Sequence, residues 1–318
     1  MSGTFPTQLT RQTTRESARI PWDRRLGLPR DALFGYAMLL PGLALIVILV
    51  GYPFGNSIWM SFHRKLIGVP DAPFVGLQNY VDLFTDVDYW IAVRNVMTYT
   101  VVSVAFKLVL GLSVAVILNE YVPFRGFVRS FVLLPWAMPT LVTVLTWRWM
   151  YNDLFGVFNY VLLQLDLINA PKAWLGTRAL AMMSVIIVNI WRGFPFFAIT
   201  LLAGLQGIPA ELYDAGKVDG ASVIKRFRHI TFPGVIPVMA VVTLLSTIWT
   251  FNDFAIIWLL TQGGPGDATE VLSTLTYKIA IGGTELGKGV AVSVTLMPLL
   301  LLLIILLTRF TAEREERL

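Results

Sequence analysis

The chain has 318 residues, of which 56% are hydrophobic and only 14% are charged, and its mean hydropathy is +0.68. A soluble domain of ordinary composition is about 25% charged, so these values indicate a membrane protein. There is no cysteine, and the two histidines, His63 and His229, lie far apart in the sequence. The composition therefore excludes disulfides, iron–sulfur clusters and thiol catalysis, and it disfavours a metal centre.

Positive charge marks the beginning of the chain. Residues 1–30 carry six arginines and three prolines, a polar composition that predicts a cytoplasmic N-terminal tail. We do not expect a cleavable signal peptide, because the apolar stretch that follows is too long. The formal net charge is +5. In a membrane protein such a balance usually reflects the cytoplasmic loops, so we expect lipid and no nucleic acid as a partner.

Six apolar stretches are long enough to cross a hydrocarbon core of roughly 30 Å as helices. They predict an all-α polytopic membrane protein in which residues 31–318 form one transmembrane domain. The second stretch is the weakest, because Lys107 lies inside it. The predicted spans are 33–61, 92–118, 127–151, 179–203, 234–260 and 289–310.

The distribution of positive charge predicts the orientation of these spans. The tail, the loop near 119–129, the segment 204–233 and the C-terminus carry more than twice as many Lys and Arg residues as the alternate loops. Because positive residues collect on the cytoplasmic side, both termini and the segment 204–233 are expected in the cytoplasm. An even number of spans agrees with this arrangement.

The segment between the fourth and fifth spans is polar and forms helices readily. Pro209 suits the first turn of a helix over 210–217, and Gly220 gives the chain freedom to turn. A second helix is predicted over 221–230 and is expected to end at Pro233. From these residues alone, an interfacial helix with snorkelling basic side chains and a docking surface for another protein are equally good interpretations.

The same segment resembles the cytoplasmic signature of ABC importer permeases, which is Glu-Ala-Ala, three residues, Gly, nine residues, Ile, any residue, Leu-Pro. Asp214-Ala215-Gly216 stands in the place of Glu-Ala-Ala, Gly220 is the glycine, Ile230 is the isoleucine, and Phe232-Pro233 is the final pair. The spacing matches at every step, with Asp for Glu, Gly for Ala and Phe for Leu. Asp219-Gly220-Ala221 resembles the form typical of the carbohydrate-import branch.

A second resemblance follows the fifth span. Leu260-Thr261-Gln262-Gly263-Gly264-Pro265 resembles the Leu-Thr-x-Gly-Gly-Pro of maltose-type permeases, which pair with a second, different permease. Phe74-Val75-Gly76-Leu77-Gln78-Asn79-Tyr80 and Leu133-Leu134-Pro135 are also similar to segments of that family. The resemblance covers most of the chain after residue 33.

The resemblance implies a type I ABC importer permease fold in a bacterial or archaeal cytoplasmic membrane. The expected function is import of a sugar or sugar-like solute, such as a glycoside, a polyol or a glycerol-phosphate-like compound. The implied partners are a second permease subunit, two cytoplasmic ATPase subunits that use ATP and Mg²⁺, and an extracytoplasmic solute-binding protein. The chain itself would bind no cofactor and would not be an enzyme.

In the family, the signature segment forms a coupling helix that docks into a groove of the ATPase. Carried over to this sequence, the resemblance assigns that docking to a group of residues in 204–233: Glu211, Asp214, Ala215, Gly216, Asp219, Gly220, Phe227, Ile230 and Pro233.

Five residues form a polar group at membrane depth in the fourth and fifth spans: Asn189, Arg192, Trp249, Asn252 and Asp253. Charged residues at this depth are costly and usually face a cavity or a partner. Two interpretations remain open. An Arg192–Asp253 pair would join two helices, or the group would line a path where planar polar groups and aromatic faces bind a sugar.

The segment 282–289, Gly-x-x-x-x-Gly-Lys-Gly, nearly matches a phosphate-binding loop. The position after the lysine must be Ser or Thr to reach Mg²⁺, and here it is Gly289. We therefore interpret the segment as a glycine-rich outer loop. The remaining alternatives for the chain are an ABC permease for amino acids or peptides and, from another class, an ion-coupled secondary transporter, which would require more intramembrane carboxylates than Asp253.

Overall fold

The computed structural model describes residues 30–120 and 123–315. The expected N-terminal tail, residues 1–30, lies outside the described residues except for Arg30, which begins the first helix. Apart from a single bridge between His63 and Phe74, the described residues contain no β-structure. The predicted all-α class is therefore confirmed.

The described residues form α-helices and three short π-helical segments. The π-helical segments are Val47–Gly51, Phe227–Thr231 and Lys278–Gly282. The α-helices are α1 (Arg30–Ile46), α2 (Tyr52–Ser61), α3 (Gln78–Thr85), α4 (Val87–Asn119), α5 (Arg125–Ala137), α6 (Thr140–Met150), α7 (Val157–Gln164), α8 (Arg178–Gln206), α9 (Ala210–Val218), α10 (Val223–Arg226), α11 (Phe232–Phe251), α12 (Ala255–Thr261), α13 (Leu272–Tyr277) and α14 (Leu286–Glu315).

Six membrane spans are compatible with these helices. Among the described residues, five continuous stretches are long and apolar enough to cross a membrane: Met38–Ser61, Val87–Asn119, Arg178–Gln206, Val223–Phe251 and Leu286–Leu306. The helices α5 and α6 pass the same test only as a pair, and counting that pair as one span gives the predicted number. The chain is a multi-pass membrane protein.

The described residues from Arg30 to Phe54 belong to a unit of their own. This unit contains α1, the π-helical segment Val47–Gly51 and the first residues of α2. All of its described side chains are exposed, including Leu39 and Leu49. A helical surface that is apolar over this length is typical of a segment surrounded by hydrocarbon.

The unit that begins at Gly55 is organised around the pairing of α4 with α8, against which α11 packs. A Cβ atom at Gly111 in α4 would lie 2.3 Å from Phe197 Cβ in α8, so glycine permits the close approach of the two helices. Tyr99, Phe197 and Phe251 are completely buried between these helices. The polar residues discussed below lie in this framework.

The third span differs from the predicted single helix over 127–151. The axes of α5 and α6 differ by 88°. Met138 between them has φ −69° and ψ 136°, an extended conformation, because a residue before proline avoids the helical region. Pro139 then cannot donate a backbone N–H to continue α5.

The fifth span, predicted as one helix over 234–260, is interrupted, so that prediction is wrong. The helix α11 ends at Phe251, and α12 begins at Ala255. An oxygen of the Asp253 carboxylate accepts a hydrogen bond from the Ile256 N–H at 3.2 Å, which stabilises the new helix start. An intramembrane aspartate therefore occupies the break itself.

The second helix of the segment 204–233 does not end at Pro233, as the sequence predicted. The helix α10 begins after Ser222, whose Oγ accepts from the Lys225 N–H, and not at Ala221 as predicted. It continues through the π-helical segment Phe227–Thr231 into α11 without a stop. Pro233 lies in the first turn of α11, where a missing N–H is tolerated.

Candidate functional site

The signature loop, residues 204–233, folds as short helices that pack against each other. After α9, Gly220 turns the chain with φ +69° in the left-handed region. The Ala221 N–H then donates to the Gly216 carbonyl at 2.8 Å. The hydroxyls of Tyr213 and Thr231 lie 3.1 Å apart and join α9 to the start of the next span. The turn therefore has a defined geometry.

Gly216 stands where the family signature has alanine, and the packing provides the reason. A Cβ atom at Gly216 would lie only 3.2 Å from Ile230 Cδ1 and 3.5 Å from Arg226 Cδ. The glycine therefore allows the segment that carries Ile230 to approach α9 closely. The sequence spacing identified both residues, but their contact became visible only in the fold.

Most of the predicted docking residues are exposed, and Asp214 accepts from Lys217 Nζ of the same helix at 2.8 Å. Neither α9, α10 nor the π-helical segment Phe227–Thr231 contains a buried residue. The predicted residues divide into a partly buried group, Gly216, Ile230 and Pro233, and an exposed group, Glu211, Asp214, Ala215, Asp219, Gly220 and Phe227. The first group holds the loop together, and the second forms a surface that the described residues leave uncovered.

A cavity of about 160 Å³ lies among α4, α8, α11 and the break after α11, and we call it the central cavity. Four of the five predicted intramembrane residues line it: Asn189, Arg192, Trp249 and Asp253. Asn252 does not. It is exposed, and its Nδ2 donates to the Ile248 carbonyl of its own helix at 2.8 Å.

Asp253 is the centre of hydrogen bonding in the central cavity. Its Oδ2 accepts from the Tyr99 hydroxyl at 2.8 Å and from Asn189 Nδ2 at 3.0 Å. Its backbone carbonyl accepts from Ser273 Oγ at 3.1 Å. One aspartate thus connects α4, α8, the break in the fifth span and α13, which gives the break hydrogen-bond partners within the protein.

Arg192 does not form the ion pair that one interpretation of the sequence required. Within residues 30–120 and 123–315, no Arg192–Asp253 contact falls within 4.0 Å. The carboxylate is instead occupied by neutral donors. Arg192 Nε and Asn189 Oδ1 are buried without a hydrogen-bond partner in the described part of the chain, and both residues line the cavity. Such groups are available to a bound molecule.

Sequence reasoning left the role of Lys107 open and missed Tyr99 and Thr250. Lys107 lines the cavity, is buried, and donates from Nζ to Thr250 Oγ1 at 2.9 Å. Gly193 makes room for it, because a Cβ there would lie 2.6 Å from Lys107 Cε. A lysine inside an apolar stretch was the available signal. Nothing local in the sequence indicated its partner on α11.

Aromatic rings form one wall of the central cavity. The rings of Trp136 and Phe196 stack with centroids 6.2 Å apart, and those of Phe196 and Trp249 lie 5.1 Å apart. The 88° bend between α5 and α6 places Trp136 and Thr140 at the same cavity. The cavity therefore combines amide, guanidinium, ammonium and carboxylate groups with aromatic faces.

The glycine-rich segment 282–289 has a structural environment unlike that of a phosphate-binding loop. The residues before it, Lys278–Gly282, are π-helical, whereas the phosphate loop follows a strand. A Cβ atom at Gly289 would lie 2.5 Å from the Ala280 Cβ, so the glycine is needed for close packing of α14.

Comparison with known proteins connects these features to a family. The model of the family described as "Binding-protein-dependent transport system inner membrane component" matches residues 107–314. The match includes the signature loop and nearly all of the residues of the central cavity.

Curated relatives extend the similarity over most of the chain. The chain is 40% identical over 272 residues to the trehalose/maltose transport system permease protein MalF of Thermococcus litoralis, with 86% of this chain and 91% of the relative covered. It is 36% identical over 281 residues to the inner membrane ABC transporter permease protein YcjO of Escherichia coli, with 88% and 94% covered.

Solved structures show the same fold. A chain from the crystal structure of a bacterial ABC transporter involved in alginate import superposes with a TM-score of 0.77 at 24% identity, covering 89% of this chain and 96% of that one. A chain of the MetNI methionine ABC transporter gives 0.50 at 19% identity, covering 71% and 96%. The chain belongs to the family of inner membrane components of binding-protein-dependent transport systems, and it has the type I permease fold of ABC importers.

Proposed function

We propose that this chain forms one half of the membrane path of an ATP-driven importer for a sugar or sugar-like solute. The observation that carries the proposal is the central cavity, which places unpaired polar atoms beside aromatic faces in otherwise apolar spans. The relative that is 40% identical is named a trehalose/maltose permease, which supports the same solute class.

The central cavity has the chemistry that a sugar requires. Sugar hydroxyls donate and accept hydrogen bonds, and Asn189 Oδ1 and Arg192 Nε are buried without partners among the described residues. Trp136, Phe196 and Trp249 provide rings against which the apolar face of a sugar packs. A binding site of this type is mostly apolar and has a few convergent polar groups. At about 160 Å³ the central cavity is smaller than a complete ligand site, so this chain would contribute one part of the site and the second permease subunit the rest.

The charges of the central cavity limit the solute further. Lys107 and Arg192 contribute two basic side chains, and Asp253 is the only acidic residue among those that line the cavity in the described part of the chain. A glycerol-phosphate-like or acidic sugar would pair with the Arg192 guanidinium, whereas a neutral disaccharide would use the hydrogen bonds alone. The proposed solute class therefore contains two members that an uptake assay distinguishes.

The exposed surface of the signature loop supports the proposed energy source. We assign ATP and Mg²⁺ to two cytoplasmic ATPase subunits, to which this loop docks, and no cofactor to the chain itself. A second permease subunit would complete the path. In this arrangement both termini and the signature loop lie in the cytoplasm, and an extracytoplasmic binding protein delivers the solute to the opposite side.

Reconstitution tests this proposal. The complete transporter is placed in liposomes that enclose ATP, and binding protein and radiolabelled solute are added outside. We expect accumulation of trehalose, maltose or glycerol 3-phosphate that stops when the enclosed ATP is replaced by a non-hydrolysable analogue. Accumulation driven by a proton or sodium gradient without the ATPase subunits would overturn the proposal, and uptake of amino acids but none of the three solutes would overturn the solute class.

A further inference from the structure

Lys107 is a buried amine inside α4, the helix of the second span. Its exposed fraction is 4%, and it lines the central cavity. A lysine at membrane depth is costly, so such residues usually serve a partner, a path or a bound molecule. The contacts of Lys107 show which of these roles its position allows.

Three helices fix the position of the Lys107 amine. Nζ donates to Thr250 Oγ1 of α11 at 2.9 Å, and Thr250 is itself only 2% exposed. In α8, a Cβ atom at Gly193 would lie 2.6 Å from Lys107 Cε and 3.0 Å from Nζ, so the glycine leaves the space that the amine occupies. A long and flexible side chain is thus held in one place at the cavity wall.

The hydrogen-bonding capacity of this amine is not used up by the chain. Within residues 30–120 and 123–315, Thr250 is the only hydrogen-bond partner of Lys107, and Lys107 forms no salt bridge. An ammonium has three N–H groups, and a neutral amine has two and a lone pair. In either protonation state at least one N–H remains without an acceptor, which is unfavourable for a buried group.

The missing acceptor does not come from the carboxylate of the central cavity. Asp253 Oδ2 already accepts from the Tyr99 hydroxyl and from Asn189 Nδ2, and Oδ1 accepts from the Ile256 N–H. These neutral donors leave Lys107 without a carboxylate partner among the described residues. An acceptor that enters the cavity would complete the hydrogen bonding of the amine.

We propose that Lys107 is a specificity-determining residue, which donates a hydrogen bond from its amine to one hydroxyl of the solute. Thr250 is the positioning residue that holds the amine toward the cavity. This inference rests on the proposed function, which places the solute there. A site built to bind a hydroxyl rejects an analogue that lacks it, because the buried group of the protein is then left unpaired.

The test uses the complete transporter in liposomes with its own binding protein. The probe is whichever of trehalose, maltose and glycerol 3-phosphate the wild type accumulates, together with derivatives that each lack one hydroxyl. The measured quantity is kcat/KM for the parent solute divided by kcat/KM for each derivative. The same binding protein serves every variant, so its own preference cancels when a variant is compared with the wild type.

The variants are Lys107→Met and Thr250→Val, and the control is Thr250→Ser, which keeps the hydroxyl. The wild type should reject one derivative by about tenfold or more. In Lys107→Met this ratio should fall to within about twofold, while the ratios for the other derivatives stay unchanged. Thr250→Val should fall between Lys107→Met and the wild type, and Thr250→Ser should resemble the wild type.

Two further measurements separate selection from structure. Adding Thr250→Val to Lys107→Met should not change the ratio again, because Thr250 acts through the amine. The melting temperature of Lys107→Met should equal or exceed that of the wild type, since an apolar side chain of similar length replaces a buried polar one. If Lys107→Met does not assemble, the comparison of Thr250→Val with Thr250→Ser decides, and equal ratios in these two variants would overturn the inference.

Three other results would also overturn the inference and leave the proposed function intact. One is a wild type that transports the parent and all derivatives equally well. Another is a Lys107→Met variant that keeps every wild-type ratio but melts lower or assembles poorly with the second permease, which would make Lys107 structural. The third is an effect of Thr250→Val that persists in Lys107→Met, which would move the contact to Thr250. A wild type that accumulates none of the three solutes would overturn both proposals.

Discussion

The central cavity and the signature loop are polar for opposite reasons. In the cavity, Asp253, Tyr99, Asn189 and Thr250 form hydrogen bonds with other spans of the same chain. In the signature loop, α9 and α10 contain no buried residue. Polar groups inside a membrane must be satisfied within the protein or by a bound molecule, whereas polar groups outside it are also satisfied by water and can remain exposed for another protein. Burial thus distinguishes a site that this chain builds itself from a surface that requires a partner.

The largest expected effect comes from changing the turn of the signature loop. Proline holds φ near −65°, whereas Gly220 has φ +69°, so Gly220→Pro should displace α9 relative to the next span. We expect ATP-driven uptake to fall by about tenfold or more, because the docking surface loses its geometry.

The control for this change is Gly68→Pro. Gly68 also has a positive φ, +80°, and open space around it, but it lies in the loop between the first two spans. Its uptake should stay close to wild type. Equal losses in the two variants would show that a general backbone defect, not loss of docking, explains the effect.

The next effect concerns the framework that holds the central cavity. Gly111→Ala should force α4 away from α8, because the new Cβ would lie 2.3 Å from Phe197 Cβ. Such overpacking typically costs about 1–3 kcal/mol. Thermal melting of the purified transporter should show the loss. Gly126→Ala, with no atom within 4 Å of the new Cβ, should melt at or slightly above the wild-type temperature.

The parts of this structure that follow from local pattern were predictable. The number of spans follows from apolar length, and the turn at Gly220 follows from residue type and spacing. The bend at Met138–Pro139 had a local signal in the proline, but hydropathy alone treats both sides of it as one span. The break around Asp253 had no local signal that outweighed the apolar residues on either side.

The remaining features depend on residues that are distant in the sequence. Tyr99 and Asn189, from two other spans, stabilise the carboxylate of Asp253 in the break. Lys107 finds Thr250 only after α4 packs against α11. The Arg192–Asp253 pair, one of the two interpretations that the sequence left open, was based on opposite charge at similar depth, and neutral donors surround the Asp253 carboxylate instead.

An effect of similar size on stability separates structural from solute-binding residues within the central cavity. Arg192→Gln removes a charge that forms no ion pair within residues 30–120 and 123–315, so we expect a smaller loss of stability than in Tyr99→Phe, together with a decrease in uptake. Tyr99→Phe removes a hydrogen bond to a carboxylate and should cost about 1.5–3 kcal/mol of stability. Melting temperatures and uptake rates of both variants check these two expectations. A large loss of stability in Arg192→Gln would restore the structural interpretation.

The smallest effect is a pH dependence on the side opposite to the signature loop. Burial raises the pKa of Glu270 above its ordinary value of 4.5, although the hydrogen bond from Lys278 opposes the change. The folded state therefore holds this proton more tightly than the unfolded state. The contribution of Glu270 to stability should be greatest below pH 4.5 and should decrease as the pH rises toward the folded-state pKa. The melting temperatures of the wild type and Glu270→Gln should differ increasingly as the pH rises from 4.5 toward the folded-state pKa of Glu270. The same pH dependence in both proteins would contradict the raised pKa.

The central claim is that the exposed signature loop is covered by an ATPase subunit, and one labelling measurement tests it directly. Because the chain has no cysteine, Ala215→Cys provides a single reactive thiol on the loop, and Leu154→Cys provides one on the opposite side with a side chain that is 91% exposed. Inside-out membrane vesicles containing the transporter are treated with a membrane-impermeant maleimide before and after the ATPase subunits are stripped. We predict slow labelling of Ala215→Cys that accelerates severalfold on stripping, and no labelling of Leu154→Cys in either case. Equal rates for Ala215→Cys before and after stripping, or labelling of Leu154→Cys instead, would contradict the account.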